Sequence, residues 1–239
     1  MRRRDLPDAP VRNRQGMDWL TDSKRKDGTM YRRYIKRILD VVASLVLLPF
    51  FLGLCLFLVP AIRLGDGGPA FYVAKRLGRK QKAFRMYKFR SMVRNAPDIR
   101  LTDGSTYNAP DDPRLTRIGR FLRKTSLDET PQLINVLLGH MSIIGPRPDL
   151  PEQVELYAAE EFEKLSVRPG ITGLSQAYYR NSVEWKKRLS LDVTYARSLS
   201  FMLDVKILMR TVATVLKRSN VYAKDPGAFG EAHPKDTGA

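Results

Sequence analysis

The sequence predicts an α/β protein, mostly helical with one small β-hairpin, held on a membrane by an N-terminal helix that enters and leaves by the same face. Three observations predict it. The run Val41–Ile62 is 22 residues long and carries no charge. Lys and Arg crowd both of its flanks. Beyond it, a short alternating stretch gives way to segments with helical spacing of apolar residues.

The chain opens with a basic leader, residues 1–30, which mixes charge, Pro and Gly with little apolar periodicity. It is expected to be disordered and able to touch anionic lipid. Residues 31–64 form the amphipathic start and the membrane helix. In "YRRYIKRILD", Tyr31, Tyr34, Ile35, Ile38 and Leu39 share a face, with Arg and Lys opposite. Such a turn suits the headgroup level. At about 1.5 Å per residue the apolar run reaches roughly 33 Å, enough for a bilayer core of about 30 Å.

Its flanks argue against a simple span. Residues 1–40 hold twelve Lys and Arg, and residues 63–100 hold eleven against the two acids Asp66 and Asp98. Such residues tend to stay cytoplasmic, and a straight span would send one flank across. A re-entrant helix keeps both flanks inside, whereas an ordinary kinked span keeps only one. The break is expected within Pro49–Gly53 rather than at Pro60, because proline removes a donor and clashes one turn back.

Residues 65–222 then form a cytoplasmic domain, and residues 223–239 a polar tail expected to be disordered. Gly65, Gly67, Gly68 and Pro69 end the helix. Phe71–Arg76 and Lys82–Phe89 read as a hairpin around Gly78. Residues 95–113 are a polar loop, and 114–124 a short basic helix or turn. A helix is expected over 127–138, closed by Gly139. "IIGPRPDLP" is a stiff turn, and residues 152–165 carry an amphipathic helical pattern. "RPGITG" is a glycine loop, and two more helices follow over 184–199 and 202–218.

Lys and Arg number 42 against 25 Asp and Glu, a net charge of +17. That balance suits a polyanionic partner. A single cysteine, Cys55, excludes a disulfide within the chain and fits a reducing compartment. Two histidines and no Cys/His cluster argue against a zinc site or a Ser-His-Asp triad.

The chemistry gathers at Asp128 and Glu129. One reading is structural: Ser126 to Glu129 fits the capping box S-x-x-E, and acids suit a helix N-terminus. The other rests on their surroundings. Arg114, Arg117, Arg120, Arg123 and Lys124 precede the pair, and Arg147 follows between two prolines. Arginine grips phosphate oxygens in pairs, and carboxylates, a divalent metal and arginines are the parts of phosphoryl-transfer sites. An aspartate can also attack phosphorus itself. On the hairpin, Lys88 and Arg90 are either phosphate ligands or a solvated basic face.

The stretches "KRILD", "FRMYKFRSM", "DDPRLTRIGRFLRKTSLDETPQL", "GHMSIIGPRP", "VRPGITGLSQ" and "LDVTYARSLSFMLDVKIL" resemble the bacterial sugar transferases, the monotopic phosphoglycosyl transferases, in order over residues 31–220. The resemblance implies transfer of a sugar phosphate from a UDP-sugar to a polyprenyl phosphate such as undecaprenyl phosphate, with release of UMP. It implies a ping-pong route with Mg2+ at the cytoplasmic face of the bacterial inner membrane, in exopolysaccharide, O-antigen, capsule or glycoprotein glycan synthesis. It does not imply nucleic acid as a partner.

Asp128 matches the nucleophile and Glu129 its magnesium-binding partner, with Asp128 beside the metal. Arg123 and Arg147 match phosphate-holding positions, and Lys88 and Arg90 lie in the same basic stretch. Gly170, Gly173 and Asp192 match elements near the nucleotide sugar. The chain departs from the family pattern at Gly53, where a Ser-Pro pair is usual, at Thr130 and His140, and at "AYYRNS", which replaces a "GRN" context. A second reading is a non-catalytic basic membrane module binding RNA or anionic lipid. It explains the charge and the apolar run, but not the ordered motifs around Asp128.

Overall fold

The computed structural model describes residues 30–101, 107, 109, 112–180, 182–217 and 232–234. The leader expected over 1–30 lies outside these except for Met30, as does the tail except for Ala232–Pro234. One π-helical turn, Tyr31–Ile35, runs directly into helix α1, Lys36–Asp66. Gly67, at φ 69°, ends α1 in the left-handed conformation that suits glycine, and its N–H bonds to the carbonyl of Arg63 at 2.8 Å.

The expected break at Pro49–Gly53 does not occur, for α1 stays helical through Pro49, Gly53 and Pro60. Proline removes one donor from the ladder, and the neighbouring turns carry the helix on. Both positions lie on the exposed side, and Gly53 has open space around it.

Burial along α1 falls on Asp40, Ser44, Phe51, Leu58 and Ile62, one stripe at helical spacing. The stripe docks both halves of the helix on the rest of the molecule. Near the start, Arg37 donates to the carbonyls of Val136 at 2.6 Å and Leu137 at 3.1 Å. Asp40 Oδ1 accepts from the Ser142 hydroxyl and the Ile143 N–H, each at 3.0 Å. Further along, Phe51, Leu58 and Ile62 pack with Phe89, Leu122 and Leu133. The opposite face is bare: Val46, Leu56 and Phe57 are each more than 70% exposed. Among the described residues, the helical run Tyr31–Asp66 is the one long and apolar enough to cross a membrane.

The hairpin forms as expected. Strands β1, Phe71–Leu77, and β2, Ala83–Phe89, pair antiparallel from Phe71↔Phe89 to Leu77↔Ala83. Strand β3, Ile99–Leu101, pairs antiparallel with β6, Ala232–Pro234. Helix α2 spans Arg117–Thr125. The helix expected over 127–138 divides into a 3-10 turn, Leu127–Glu129, and α3, Gln132–Leu137. Strand β4, Ser142–Ile144, runs parallel to β5, Gly170–Thr172, which lies in the glycine loop.

The amphipathic helix expected over 152–165 is instead two 3-10 segments, Pro151–Leu156 and Ala159–Ser166. Tyr157, between them, is extended and is held by its hydroxyl, which donates to Asp149 at 2.6 Å. Helices α4, Leu174–Tyr178, α5, Trp185–Ser198, and α6, Phe201–Leu216, complete the fold.

The polar centre of the docking is Asp204 on α6, which is 4% exposed. It accepts from Tyr31 at 2.6 Å, Lys36 at 2.6 Å and Tyr195 at 2.7 Å. Helix α1 therefore begins on a buried ion pair. Removing one partner of such a pair costs about 3–5 kcal/mol, because the other charge stays buried alone. Asp204→Ala is expected to lower stability by that order in detergent-solubilised protein. Leu216→Ala, at a side chain 77% exposed, should change it by less than about 0.5 kcal/mol. Equal denaturation midpoints for the two variants would contradict the assignment.

Candidate active site

Helix α2 is capped by Thr116, whose hydroxyl accepts from the N–H of Gly119 at 2.9 Å. It ends at Ser126, a left-handed residue at φ 61° and ψ 16°. A residue other than glycine held there costs about 1–2 kcal/mol. The conformation turns the chain sharply into the 3-10 segment and carries Asp128 inward, to 9% exposure. The expected capping box does not form. Ser126 makes no side-chain cap, and its hydroxyl instead accepts from Arg180 Nη2 at 2.5 Å.

The two carboxylates meet different partners. Glu129 Oε1 accepts from Lys88 Nζ at 2.8 Å and from Arg147 Nη1 at 3.3 Å. Asp128 accepts no hydrogen bond from the described residues, although the charges of Lys88, Arg123 and Arg147 all reach it. Burial pushes the Asp128 carboxyl up, helped by the neighbouring Glu129 charge, against the pull of Lys88, Arg123 and Arg147. It settles at about 6. Burial would raise Glu129 too, but Lys88 and Arg147 outweigh it and bring that carboxyl down to about 2. Glu129 is thus the fixed anion, and Asp128 the carboxylate without a bonded partner.

Each cation arrives on its own support. Lys88 lies on β2, which Asn135 locks to α3. Asn135 Oδ1 accepts from the Tyr87 N–H at 2.9 Å, and its Nδ2 donates to the Arg85 carbonyl at 2.6 Å. Arg123 sits in the last turn of α2, with Nε donating to the Ser91 hydroxyl at 3.3 Å. Arg147 stands on the Pro-Arg-Pro turn after β4. That turn is tied down by β5: the Gly145 N–H bonds Thr172 at 2.8 Å and the Gly170 N–H bonds Pro146 at 2.9 Å. The approach is so close that a Cβ on Gly170 would overlap the backbone of Gly145 and Thr172. Gly170 lines the cavity, and Gly173 backs onto the Gly145 carbonyl.

The structure brings Lys88, Arg123, Asp128, Glu129 and Arg147 around one cavity of about 930 Å³. Arg90 also borders it, but its guanidinium pairs with Asp66 at the end of α1 and lies under Gly68. Asp192 is buried on α5, paired with Lys164 at 2.9 Å. The sequence reading missed Arg180. It borders the cavity at φ 49°, feels the charges of Asp128 and Glu129, and holds Ser126. The one signal was that it stands in "AYYRNS", where the pattern departs.

A carboxylate pair ringed by Lys and Arg suits phosphate chemistry, and the docked helix beside it keeps a bare apolar face. The chain belongs to the bacterial sugar transferase family, whose model matches residues 31–218. It is 39% identical over 201 residues to the undecaprenyl-phosphate galactose phosphotransferase of Salmonella typhimurium, covering 80% of this chain and 42% of that one. It therefore spans about two fifths of that relative. It is 43% identical over 182 residues to the uncharacterized sugar transferase EpsL of Bacillus subtilis, covering 76% of this chain and 87% of the other. With the exopolysaccharide production protein ExoY of Rhizobium meliloti it shares 37% over 198 residues, 78% and 88% of the two chains. Membership of a transferase family sets aside the non-catalytic RNA- or lipid-binding reading.

A raised carboxyl carries a stability consequence. In the unfolded chain Asp128 ionises near its ordinary value, but in the folded, metal-free protein it does so only near 6. Its ionised form above pH 6 therefore works against folding, and the penalty fades as pH falls toward 4. With chelator present, Asp128→Asn is expected to stabilise the protein at pH 7.5 by about 3 kcal/mol, the rise being roughly two pKa units at about 1.4 kcal/mol each. The gain should vanish toward pH 4. Denaturation of both proteins across pH 4–8 checks this, and a gain independent of pH would contradict it.

Proposed function

We propose that this protein transfers a sugar 1-phosphate from a UDP-sugar to undecaprenyl phosphate or a similar polyprenyl phosphate, through a covalent phosphosugar on Asp128. The observation that carries the proposal is the contrast within the pair: Glu129 is held by Lys88 and Arg147, whereas buried Asp128 accepts no hydrogen bond from the described residues and faces the cavity. An Asp128 Oδ atom attacks the phosphorus that bears the sugar. The new O–P bond forms as the bridging P–O bond breaks, and that bridging oxygen leaves with UMP. A phosphate oxygen of the polyprenyl acceptor then attacks the same phosphorus. The acyl phosphate bond breaks, the Asp128 carboxylate returns, and a polyprenyl diphosphate sugar departs. A carboxylate is ionised without a separate base, which suits this role in a site with no histidine among the described residues that line it.

Lys88, Arg123 and Arg147 compensate the charge of the diphosphate and orient it. Among the described residues no three His, Cys, Asp or Glu side chains cluster as a metal cage. Magnesium needs none, since it is held by one or two carboxylates together with substrate phosphates and water. The oxygens of Asp128 and Glu129 fit that pattern. Bound there with the substrate, Mg2+ would supply charge neutralisation at the diphosphate.

The docking of α1 supports attachment from one side. Its start at Lys36 and Asp40 and its later turns at Phe51–Ile62 rest on the same domain. A helix held along its length by one domain favours keeping both ends on the same side of a membrane. Its bare face would enter one leaflet, monotopically, at the cytoplasmic face of the bacterial inner membrane. There the lipid phosphate and the soluble nucleotide sugar meet. The Salmonella relative carries galactose phosphotransferase in its name, so UDP-galactose heads the panel of donors to assay, and the Rhizobium relative's name points to exopolysaccharide as the pathway the product would enter.

With undecaprenyl phosphate, Mg2+ and a panel of UDP-sugars, the wild type is expected to release UMP from at least one donor. Asp128→Asn should lower that rate by more than about 10³-fold, the scale on which loss of a covalent nucleophile acts. Undiminished UMP release by this variant would sink the nucleophile assignment. No turnover of any donor by the wild type would sink the activity.

A further inference from the structure

Lys164 lies in the second 3-10 segment, with only 2% of its side chain exposed. Its ammonium has three N–H bonds and three acceptors. They are the carbonyl of Arg147 at 3.0 Å, Asp149 Oδ2 at 2.6 Å and Asp192 Oδ2 at 2.9 Å. The carboxylates are anchored in turn. Asp149 accepts from Tyr157 at 2.6 Å and Trp185 at 3.2 Å, and Asp192 accepts from Ser175 at 3.2 Å. Its other links reach the hairpin, for the N–H of Leu77 bonds the Asp149 carbonyl at 2.8 Å.

The Arg147 carbonyl has a particular need. Pro146 and Pro148 flank it, and neither has an N–H, so within the turn only Arg147 itself carries a backbone donor. Lys164 supplies one from another segment. The Arg147 side chain, 37% exposed, reaches into the cavity from this base. Its reach to Glu129 is a long one, 3.3 Å, which a small shift of the base would break. The pair interactions favour the charged ammonium, since the two carboxylates outweigh burial and raise Lys164 above its ordinary value.

We propose that Lys164 is a positioning residue for the transfer reaction: it fixes the backbone from which Arg147 reaches the substrate diphosphate, and acts on catalysis through Arg147. The proposal rests on the reading of Arg147 as a phosphate-holding residue. It gives buried Asp192 a role as an anchor for Lys164.

A double-mutant cycle tests it, reading kcat/KM for UMP release and the denaturation midpoint in parallel. Lys164→Met is expected to lower kcat/KM by about 10²-fold in the wild-type background, the scale on which a misplaced contact acts. In an Arg147→Ala background the same change should lower it by less than about twofold, because sites that act as one unit are not additive. The midpoint should fall equally in both backgrounds. Equal activity losses in both backgrounds would overturn the proposal, showing that Lys164 acts on the whole fold. Full activity in Lys164→Met would also overturn it.

Should Lys164→Met fail to fold, the triple variant Lys164→Met/Asp149→Asn/Asp192→Asn leaves no buried charge unpaired, yet still denies Arg147 its donor. It is compared with Asp149→Asn/Asp192→Asn in the same two backgrounds, and the same outcomes decide. If Arg147→Ala alone keeps full activity, the underlying reading of Arg147 fails, an outcome distinct from additivity.

Discussion

Two neighbouring carboxylates compete for the same cations, and Glu129 takes them. Lys88 and Arg147 both bond Glu129 Oε1, which leaves Asp128 inside their field without a hydrogen bond from the described residues. Much of the surrounding structure serves this division. Ser126 turns left-handed so that Asp128 points inward. Asn135 fixes the hairpin over α3 and so fixes Lys88. The close pairing of Gly145 with Gly170 fixes the turn that carries Arg147. A buried anion beside a paired one is unfavourable for folding, and such perturbed carboxylates cluster at functional sites.

The same domain carries the long apolar helix α1 on its surface. α1 is bound at its start by charge, through Lys36, Arg37 and Asp40, and further along by packing, through Phe51, Leu58 and Ile62. Burying each such apolar side chain contributes about 1.5–3 kcal/mol, so the packed stretch is no weaker than the charged one. Arg90 joins the two systems. It stands on the chain just after β2 and pairs with Asp66 where α1 ends. Movement of the helix end is therefore linked to the strand that bears Lys88.

What could be read from the sequence was local. The strand pattern gave the hairpin, and the Asp-Glu pair stood out because arginines lie within a few turns of it. What escaped depended on partners far along the chain. Ser126 matches a capping box by spacing, but Arg180, 54 positions away, takes its hydroxyl. Residues 152–165 have a helical pattern, but Tyr157 is held extended with its hydroxyl on Asp149. Arg90 counted as one more cation near the site, whereas Asp66 claims it. Pro49 suggested a break, but its ring lies on the open side of a helix docked along its other face. In each case the pattern showed what a residue could do, and tertiary contacts decided what it does.

The central claim is that Asp128 carries the phosphosugar between donor and acceptor. Mass spectrometry of wild-type protein, quenched in acid after reaction with its UDP-sugar and Mg2+ in the absence of polyprenyl phosphate, tests it most directly. The account predicts a sugar-phosphate mass added to the peptide containing Asp128, and its loss when polyprenyl phosphate is added before the quench. An adduct on another residue would contradict the account. So would UMP release that requires the acceptor from the outset, with no adduct at any time.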